Sequence, residues 1–223
     1  MWRNLLNAFN NDNLYTQALA EAHEMLDIDL RMIEASVRSL RKSDDGSIDV
    51  DILKLDKQIN RFERDVRQKV LTHLAVSGPT ELSGGLVLVS IIIDIERIGD
   101  YAKNIHDLAQ SHPSKLHGGA LEPRLAIIEE KTLFIFRETV DAVRAHNVDK
   151  ARTVMELYKE SLSAACEQVV RDIVEGRAKD LSTETGAAIA LYARYLKRIA
   201  AHSRNIVTSV VNPFPRIGYR EKK

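Results

Sequence analysis

Two carboxylates in one short run give this chain its clearest site for chemistry. Glu96 and Asp100 lie four residues apart in the segment Asp94–Ile105, which reads DIERIGDYAKNI and follows an apolar stretch. Side chains at this spacing lie on the same face of a helix, one turn from each other. Because neighbouring carboxylates repel each other, the spacing predicts that they share either water or a bound cation.

A second column of oxygen donors is predicted on the preceding helix. Asp56, Asn60 and Glu63 follow one another at spacings of four and three residues, beside an apolar stripe. If this column faces Glu96 and Asp100, four to six side-chain oxygens converge. Oxygen donors without thiolates or imidazoles suit hard cations such as Mg²⁺, Ca²⁺, Mn²⁺ or iron.

The same residues also fit a site without metal. Carboxylates four residues apart are common on solvated helix faces, and Arg97 can neutralise Glu96 or Asp100 within the helix. Asp29 is predicted on the inner part of the first helix, where it can add a ligand or pair with Arg31 or a neighbouring helix. Spacing alone leaves both interpretations open.

Long helices have to carry these side chains, and the sequence indicates six of them. Apolar residues recur at spacings of three, four and seven residues between the breaks, which is typical of amphipathic helices. The predicted helices span 14–42, 48–76, 81–110, 124–145, 149–175 and 183–211. Such helices joined by short turns predict an all-α fold of two tandem three-helix bundles. The predicted units are a first bundle at 1–110, a linker at 111–123, a second bundle at 124–212 and a loose basic tail at 213–223.

A faint internal repeat supports two copies of one three-helix unit. The dipeptides Arg-Ile and Asn-Ile of the 94–105 run both recur 101 residues later in the chain. At the same shift Glu96 becomes Lys197 and Asp100 becomes Ala201. We therefore expect one cation site per chain, in the first bundle.

Composition and motifs argue against several classes of function. The 32 basic and 32 acidic residues give a net charge of zero, which argues against a nucleic-acid binder. The net charge is −5 over residues 1–110 (13 basic, 18 acidic) and +5 over 111–223 (19 basic, 14 acidic), so the halves are expected to meet different partners. No His-x-x-x-His or Glu-x-x-His pair, phosphate-binding glycine loop or nucleophile motif is present. The sequence therefore predicts that the protein is not an enzyme.

Other features concern the compartment. Cys166 is the single cysteine, which excludes an intramolecular disulfide and indicates a buried, inert thiol. There is no signal peptide, and the longest apolar stretch, Gly84–Ile93, is far shorter than the roughly 20 residues of a membrane span. These features predict a soluble cytoplasmic protein, and the basic tail beyond Pro213 allows peripheral attachment to an anionic membrane.

The run at 94–105 resembles the signature of the PhoU family, whose members regulate phosphate uptake. Leu55–Asn60, which reads LDKQIN, resembles the family's second-helix motif, and two related bundles extend the resemblance over nearly the whole chain. The resemblance implies a cytoplasmic negative regulator, often a homodimer, that works with a phosphate transporter (ABC-type or sodium-coupled). In many members a membrane sensor histidine kinase is a further partner. The amphipathic start of the chain, which contains Trp2 and Phe9, is a candidate docking segment for such a partner.

The resemblance also implies a cofactor. Several members hold metal clusters through paired acids four residues apart on the helix surface. Carried over to this chain, the metal ligands would be Asp56, Asn60, Glu96 and Asp100. The cofactor would be a divalent cation (Mg, Mn, Fe, Zn or Ca) or an iron cluster. Asn60 stands where the family has an acid, which removes one charge from the first pair.

Two other functions use the same residues. One is a carboxylate-ligated metal-storage protein or metal-dependent enzyme. The other is a metal-free helical scaffold, in which ion pairs between Arg97 and the carboxylates satisfy the acidic face.

Overall fold

Six long helices joined by short turns form the structure, a computed structural model that describes residues 11–112 and 114–221. No strand occurs in these ranges, and the six predicted helices are confirmed. They are α1 (Asn11–Lys42), α2 (Ile52–Ser77), α3 (Leu82–Ser111), α4 (Glu122–Arg144), α5 (Val148–Leu157, continued by a π-helical turn at Tyr158–Leu162 and by Ser163–Val174) and α6 (Thr183–Val211). Trp2 and Phe9 lie outside the described residues.

The apolar stripes of these helices build two three-helix bundles. Helices α1, α2 and α3 pack against one another, and so do α4, α5 and α6. The bundles also pack together, α1 against α4 and α3 against α6, so their buried apolar residues form one continuous core. This arrangement confirms the predicted all-α fold with two tandem bundles. In the described part of the chain, no helix combines the length and apolar character needed to cross a membrane.

Arg41, at the end of α1, binds the second bundle. Its side chain is only 8% exposed and donates hydrogen bonds from Nε to Glu129, from Nη2 to Glu122 and from Nη1 to the main-chain oxygen of Leu116. The amide of Leu116 in turn donates to the carbonyl of Leu40 at 2.8 Å. The predicted linker is therefore packed against the end of α1.

The chain beyond α6 folds back onto that helix, so the prediction of a loose tail is wrong for residues 213–221. Asn212 Nδ2 donates to the carbonyl of Tyr219 at 2.9 Å, and the amide of Gly218 donates to Thr208 Oγ1 at 2.7 Å. Gly218 adopts φ +83°, which a residue with a side chain rarely adopts, and this allows the reversal. The sequence pattern after Pro213 excludes a continued helix but carries no signal for these side-chain contacts.

Candidate cation site

The acidic face lies along α3 where this helix packs with α1 and α2. Ile95, Ile98 and Ala102 are buried and hold α3 in the core. Glu96 and Asp100 consequently lie on a flanking face, with side chains 14% and 28% exposed. The two carboxylates share this face at a separation of one turn, as their spacing predicts.

Gly99 lets three helices meet beneath this face. A Cβ atom at this position would lie 2.8 Å from Ile59 Cδ1 of α2 and 2.9 Å from Asp29 Oδ1 of α1. Both distances are shorter than real Cβ contacts, so a larger residue at this position would require the side chains of Ile59 and Asp29 to shift. The glycine between the two acids thus leaves room for side chains of α1 and α2 close to them.

Lys103 lies between acids of two helices. Its Nζ donates to Asp56 Oδ1 of α2 at 2.7 Å and lies 3.7 Å from Asp100 Oδ1 of α3. Asn60 Nδ2 donates to the main-chain oxygen of Asp56 at 3.1 Å and to its Oδ2 at 3.4 Å. The structure thus brings Asp56, Asn60 and Asp100 together, with an ammonium group between the two carboxylates.

Arg97 neutralises the acids of α3 from within the same helix. Its Nη1 donates to Asp100 Oδ2 at 3.1 Å, and its Nε lies 3.6 Å from Glu96 Oε2, which confirms the predicted ion pairs. Partial burial, followed by repulsion from Asp100, raises the pKa of Glu96, while Arg97 acts in the opposite direction. Glu63, the third member of the predicted α2 column, instead pairs with Arg67 at 2.8 Å.

Asp29 is a buried acid beneath this face. Its side chain is fully buried, and neither carboxyl oxygen has a hydrogen-bond partner among the described residues. Burial, followed by the negative charges of Glu96 and Asp100, raises the pKa of Asp29 well above its usual range. The predicted alternative, an ion pair with Arg31 or a neighbouring helix, is wrong.

The donors fit a hard cation in chemistry, although they do not converge as a ready cage. Within residues 11–112 and 114–221, no group of three or more His, Cys, Asp or Glu side chains is arranged to hold a metal ion. Asp29 nevertheless supplies two unpartnered oxygens, and Lys103 shows that positive charge is favourable between Asp56 and Asp100. A cation would therefore compete with Lys103 and Arg97 for these carboxylates.

A polar network between α3 and α6 lies next to the same run and was not predicted. Asp94 Oδ1 accepts hydrogen bonds from His202 Nδ1 at 2.6 Å and from Asn205 Nδ2 at 3.3 Å. Arg198 Nε donates to the hydroxyl oxygen of Tyr101 at 3.1 Å, and the rings of Tyr101 and His202 stack. The only sequence signal for this network was the recurrence of the Arg-Ile and Asn-Ile dipeptides, which contain Arg198 and Asn205 of α6. These bonds join the two bundles beside the acidic face.

These features define a duplicated three-helix-bundle protein whose first copy carries an acidic helix face. The family model described as the PhoU domain matches the chain twice, at residues 22–109 and 125–210. The chain therefore belongs to the PhoU family, as the run at 94–105 predicted.

Two bacterial proteins are similar in sequence to this chain over most of its length. A protein of Clostridium acetobutylicum named "Phosphate-specific transport system accessory protein PhoU homolog" is 22% identical over 185 residues, which cover 81% of this chain and 83% of the relative. A protein of Pseudomonas putida with the same name is 26% identical over 187 residues, which cover 81% of this chain and 71% of the relative.

Solved structures show the same fold. The crystal structure of PhoU from Pseudomonas aeruginosa matches with a TM-score of 0.77 at 22% identity, over 90% of this chain and 96% of that one. The phosphate transport system regulatory protein PhoU from Streptococcus pneumoniae matches with a TM-score of 0.67 at 17% identity, over 91% and 94%.

Proposed function

We propose that this chain is a non-catalytic regulator of phosphate uptake that acts on a phosphate transporter. The observation that carries the proposal is the match of both bundles to the PhoU domain, at 22–109 and 125–210. Relatives whose alignments cover about four-fifths of this chain are named as accessory proteins of phosphate-specific transport systems.

The proposal includes one divalent cation or metal cluster per chain, on the acidic face of the first bundle. Asp56, Asn60, Glu96 and Asp100 would supply its oxygen ligands, with Asp29 beneath them. The cation would add positive charge between α2 and α3. Support comes from the two carboxyl oxygens of Asp29, which have no hydrogen-bond partner among the described residues, and from the pKa of Glu96, which burial and then repulsion from Asp100 raise.

The finer partner assignments rest on the family resemblance. We propose a homodimer at the cytoplasmic face of the membrane that contacts the transporter and, in a signalling role, a membrane sensor histidine kinase. The polarity of regulation is negative, so the protein would lower uptake when phosphate is plentiful.

A second candidate is a metal-free scaffold with the same regulatory role. The ion pairs of Arg97 and Lys103 favour it, because they satisfy the acidic face without a cation. Elemental analysis of untagged protein purified without chelator separates the two candidates. About one cation per chain, lost in the variant Glu96→Ala/Asp100→Ala, supports the cation site, and no bound metal supports the scaffold.

Phosphate uptake in cells tests the regulatory role directly. We would delete the gene, measure uptake of ³²P-phosphate in phosphate-rich medium, and complement with the wild type or with Glu96→Ala/Asp100→Ala. Glu24→Ala/Glu130→Ala, which removes two exposed carboxylates from other helix faces, is the matched control. Deletion should raise uptake, and the wild type and control should lower it again. Unchanged uptake after deletion would refute the proposed function.

A further inference from the structure

The second bundle lacks the carboxylates of the acidic face at the corresponding positions. On the outer helix of each bundle, core positions correspond at a separation of 99 residues before the π-helical turn of α5 and 100 after it. The pairs are Ile52 with Ala151 and Leu55 with Val154, then Phe62 with Leu162 and Val66 with Cys166. The extra residue falls at Tyr158–Leu162, because a π turn holds one residue more than an α turn.

This register shows what replaces the acids of the first bundle. Asp56 and Asn60 correspond to Met155 and Lys159 of α5. The acids of α3 correspond, 101 residues later, to Lys197 and Ala201 of α6, and Lys103 corresponds to Arg204. Positions that hold carboxylates in the first copy are therefore apolar or basic in the second.

A groove of about 630 Å³ lies at this place, between α5, α6 and the folded-back tail. Lys159, Arg204 and Arg220 line it, and within the described ranges no hydrogen bond or ion pair involves their charged groups. Arg204 is half-buried, and its guanidinium has no acceptor among the described residues. An anion in the groove would supply that acceptor.

The tail already places one oxyanion at the edge of the groove. Glu221 accepts two hydrogen bonds from Arg152, from Nε at 2.9 Å and from Nη2 at 2.8 Å. This two-bond geometry is the one that guanidinium groups form with carboxylates and phosphates. Without the Glu221 carboxylate, Arg152 would keep only the exposed Asp149, 3.6 Å from its Nη1, and would become a fourth cation of the site.

We propose that this groove binds an anionic phosphate group carried by a small molecule or by a lipid headgroup. Guanidinium and ammonium groups from two helices and the tail match the several oxygens of a phosphate. Met155 and the half-buried Tyr158 add an apolar wall, and the volume exceeds that of a bare ion, which favours a phosphate ester. The exposed Glu156 and Glu160 also line the groove and disfavour polyanions with several charges. The inference rests on residues of the second bundle and the tail, and is independent of the cation proposed for the first.

Calorimetric titration of the full chain with inorganic phosphate and with glycerol 3-phosphate tests the free ligand. Co-sedimentation with phosphatidylglycerol vesicles, with phosphatidylcholine vesicles as reference, tests the lipid headgroup. The variant Lys159→Gln/Arg204→Gln removes two unpaired cations and should leave the fold intact, which thermal unfolding verifies. The control Lys57→Gln/Arg64→Gln removes the same charge from an exposed basic surface of α2.

We expect saturable binding that is at least about tenfold weaker in Lys159→Gln/Arg204→Gln and unchanged in the control, because each charge-assisted bond contributes about that factor or more. Glu221→Gln should strengthen binding, since it releases Arg152 and removes a negative charge. Loss confined to the soluble esters assigns a free ligand, and loss confined to phosphatidylglycerol vesicles assigns a headgroup. No binding to any probe, or equal weakening in the control, overturns the proposal.

Discussion

Replacing the buried acid Asp29 should stabilise the protein. Asp29→Leu preserves the shape of the side chain while removing two oxygens that have no hydrogen-bond partner. A buried unsatisfied polar group costs about 1–3 kcal/mol, so the free energy of unfolding should rise by about that amount. For a chain of this size, each kcal/mol corresponds to about 2–4 °C in Tm, which predicts an increase of about 2–12 °C.

The effect should depend on pH, and Asp29→Asn isolates that part. The folded protein raises the pKa of Asp29, whereas the unfolded chain has a pKa of about 3.9. At a pH above the unfolded pKa, the unfolded chain has released this proton while the folded protein still holds it. The contribution of Asp29 to stability therefore falls as pH rises, until the pH passes the folded pKa. The stability gained by Asp29→Asn over the wild type should therefore grow from pH 4 upward.

Urea unfolding followed by circular dichroism, in buffer with chelator between pH 4 and 8.5, measures both effects. Ser36→Ala is the matched control, because Ser36 is buried on α1 one heptad later with an unpartnered hydroxyl but does not titrate in this range. Its effect should not change with pH. Destabilisation by Asp29→Leu in chelator, or a gain for Asp29→Asn that shrinks as pH rises, would show that Asp29 has a stabilising partner and would refute the reasoning.

Three further outcomes are expected. Glu96→Ala/Asp100→Ala should abolish cation binding, measured by calorimetry with Mn²⁺, yet change the unfolding free energy by only about 0–1 kcal/mol, since partly exposed pairs contribute little; retained stoichiometric binding would show that the ligands lie elsewhere. Arg41→Ala should destabilise the protein by about 3–5 kcal/mol in urea unfolding, because it leaves the half-buried carboxylate of Glu129 without its cation. A loss below about 1 kcal/mol would contradict the importance of this contact. Cys166, whose pKa burial raises to about 12, should resist an aromatic disulfide reagent at pH 8 until the protein is unfolded; rapid labelling of native protein would contradict its burial.

Local patterns predicted the helices well because helix formation and burial repeat along the chain. The heptad spacing of apolar residues fixes which stripe of α1 or α3 faces inward, and the four-residue spacing fixes that Glu96 and Asp100 share a face. The signature run also indicated the family, since it combines that spacing with Gly99, which leaves room for side chains of α1 and α2.

The partners of polar side chains could not be predicted in the same way. The bonds from Lys103 to Asp56 and from His202 to Asp94 join residues 47 and 108 positions apart. Periodicity shows which side of a helix faces the core, but not which polar residues of the next helix lie opposite. The spacing placed Asp29 on the inner part of α1, but it did not predict complete burial. Hydrophobic patterning leads one to expect a charged residue at the edge of such a face, where it can find a partner.

The contacts of Arg41 have a consequence for how the chain unfolds. Its guanidinium holds the end of α1, the linker carbonyl of Leu116 and two carboxylates of α4 in one cluster, beside a core that runs through both bundles. Opening either bundle at this end would break hydrogen bonds made by the other, so we expect the two copies to unfold as a single cooperative unit. Amide protons in the middle of α1 and of α4 should then exchange with solvent only through global unfolding, and at one common free energy. The duplicated sequence would then behave as one folding unit, although each copy has its own three helices.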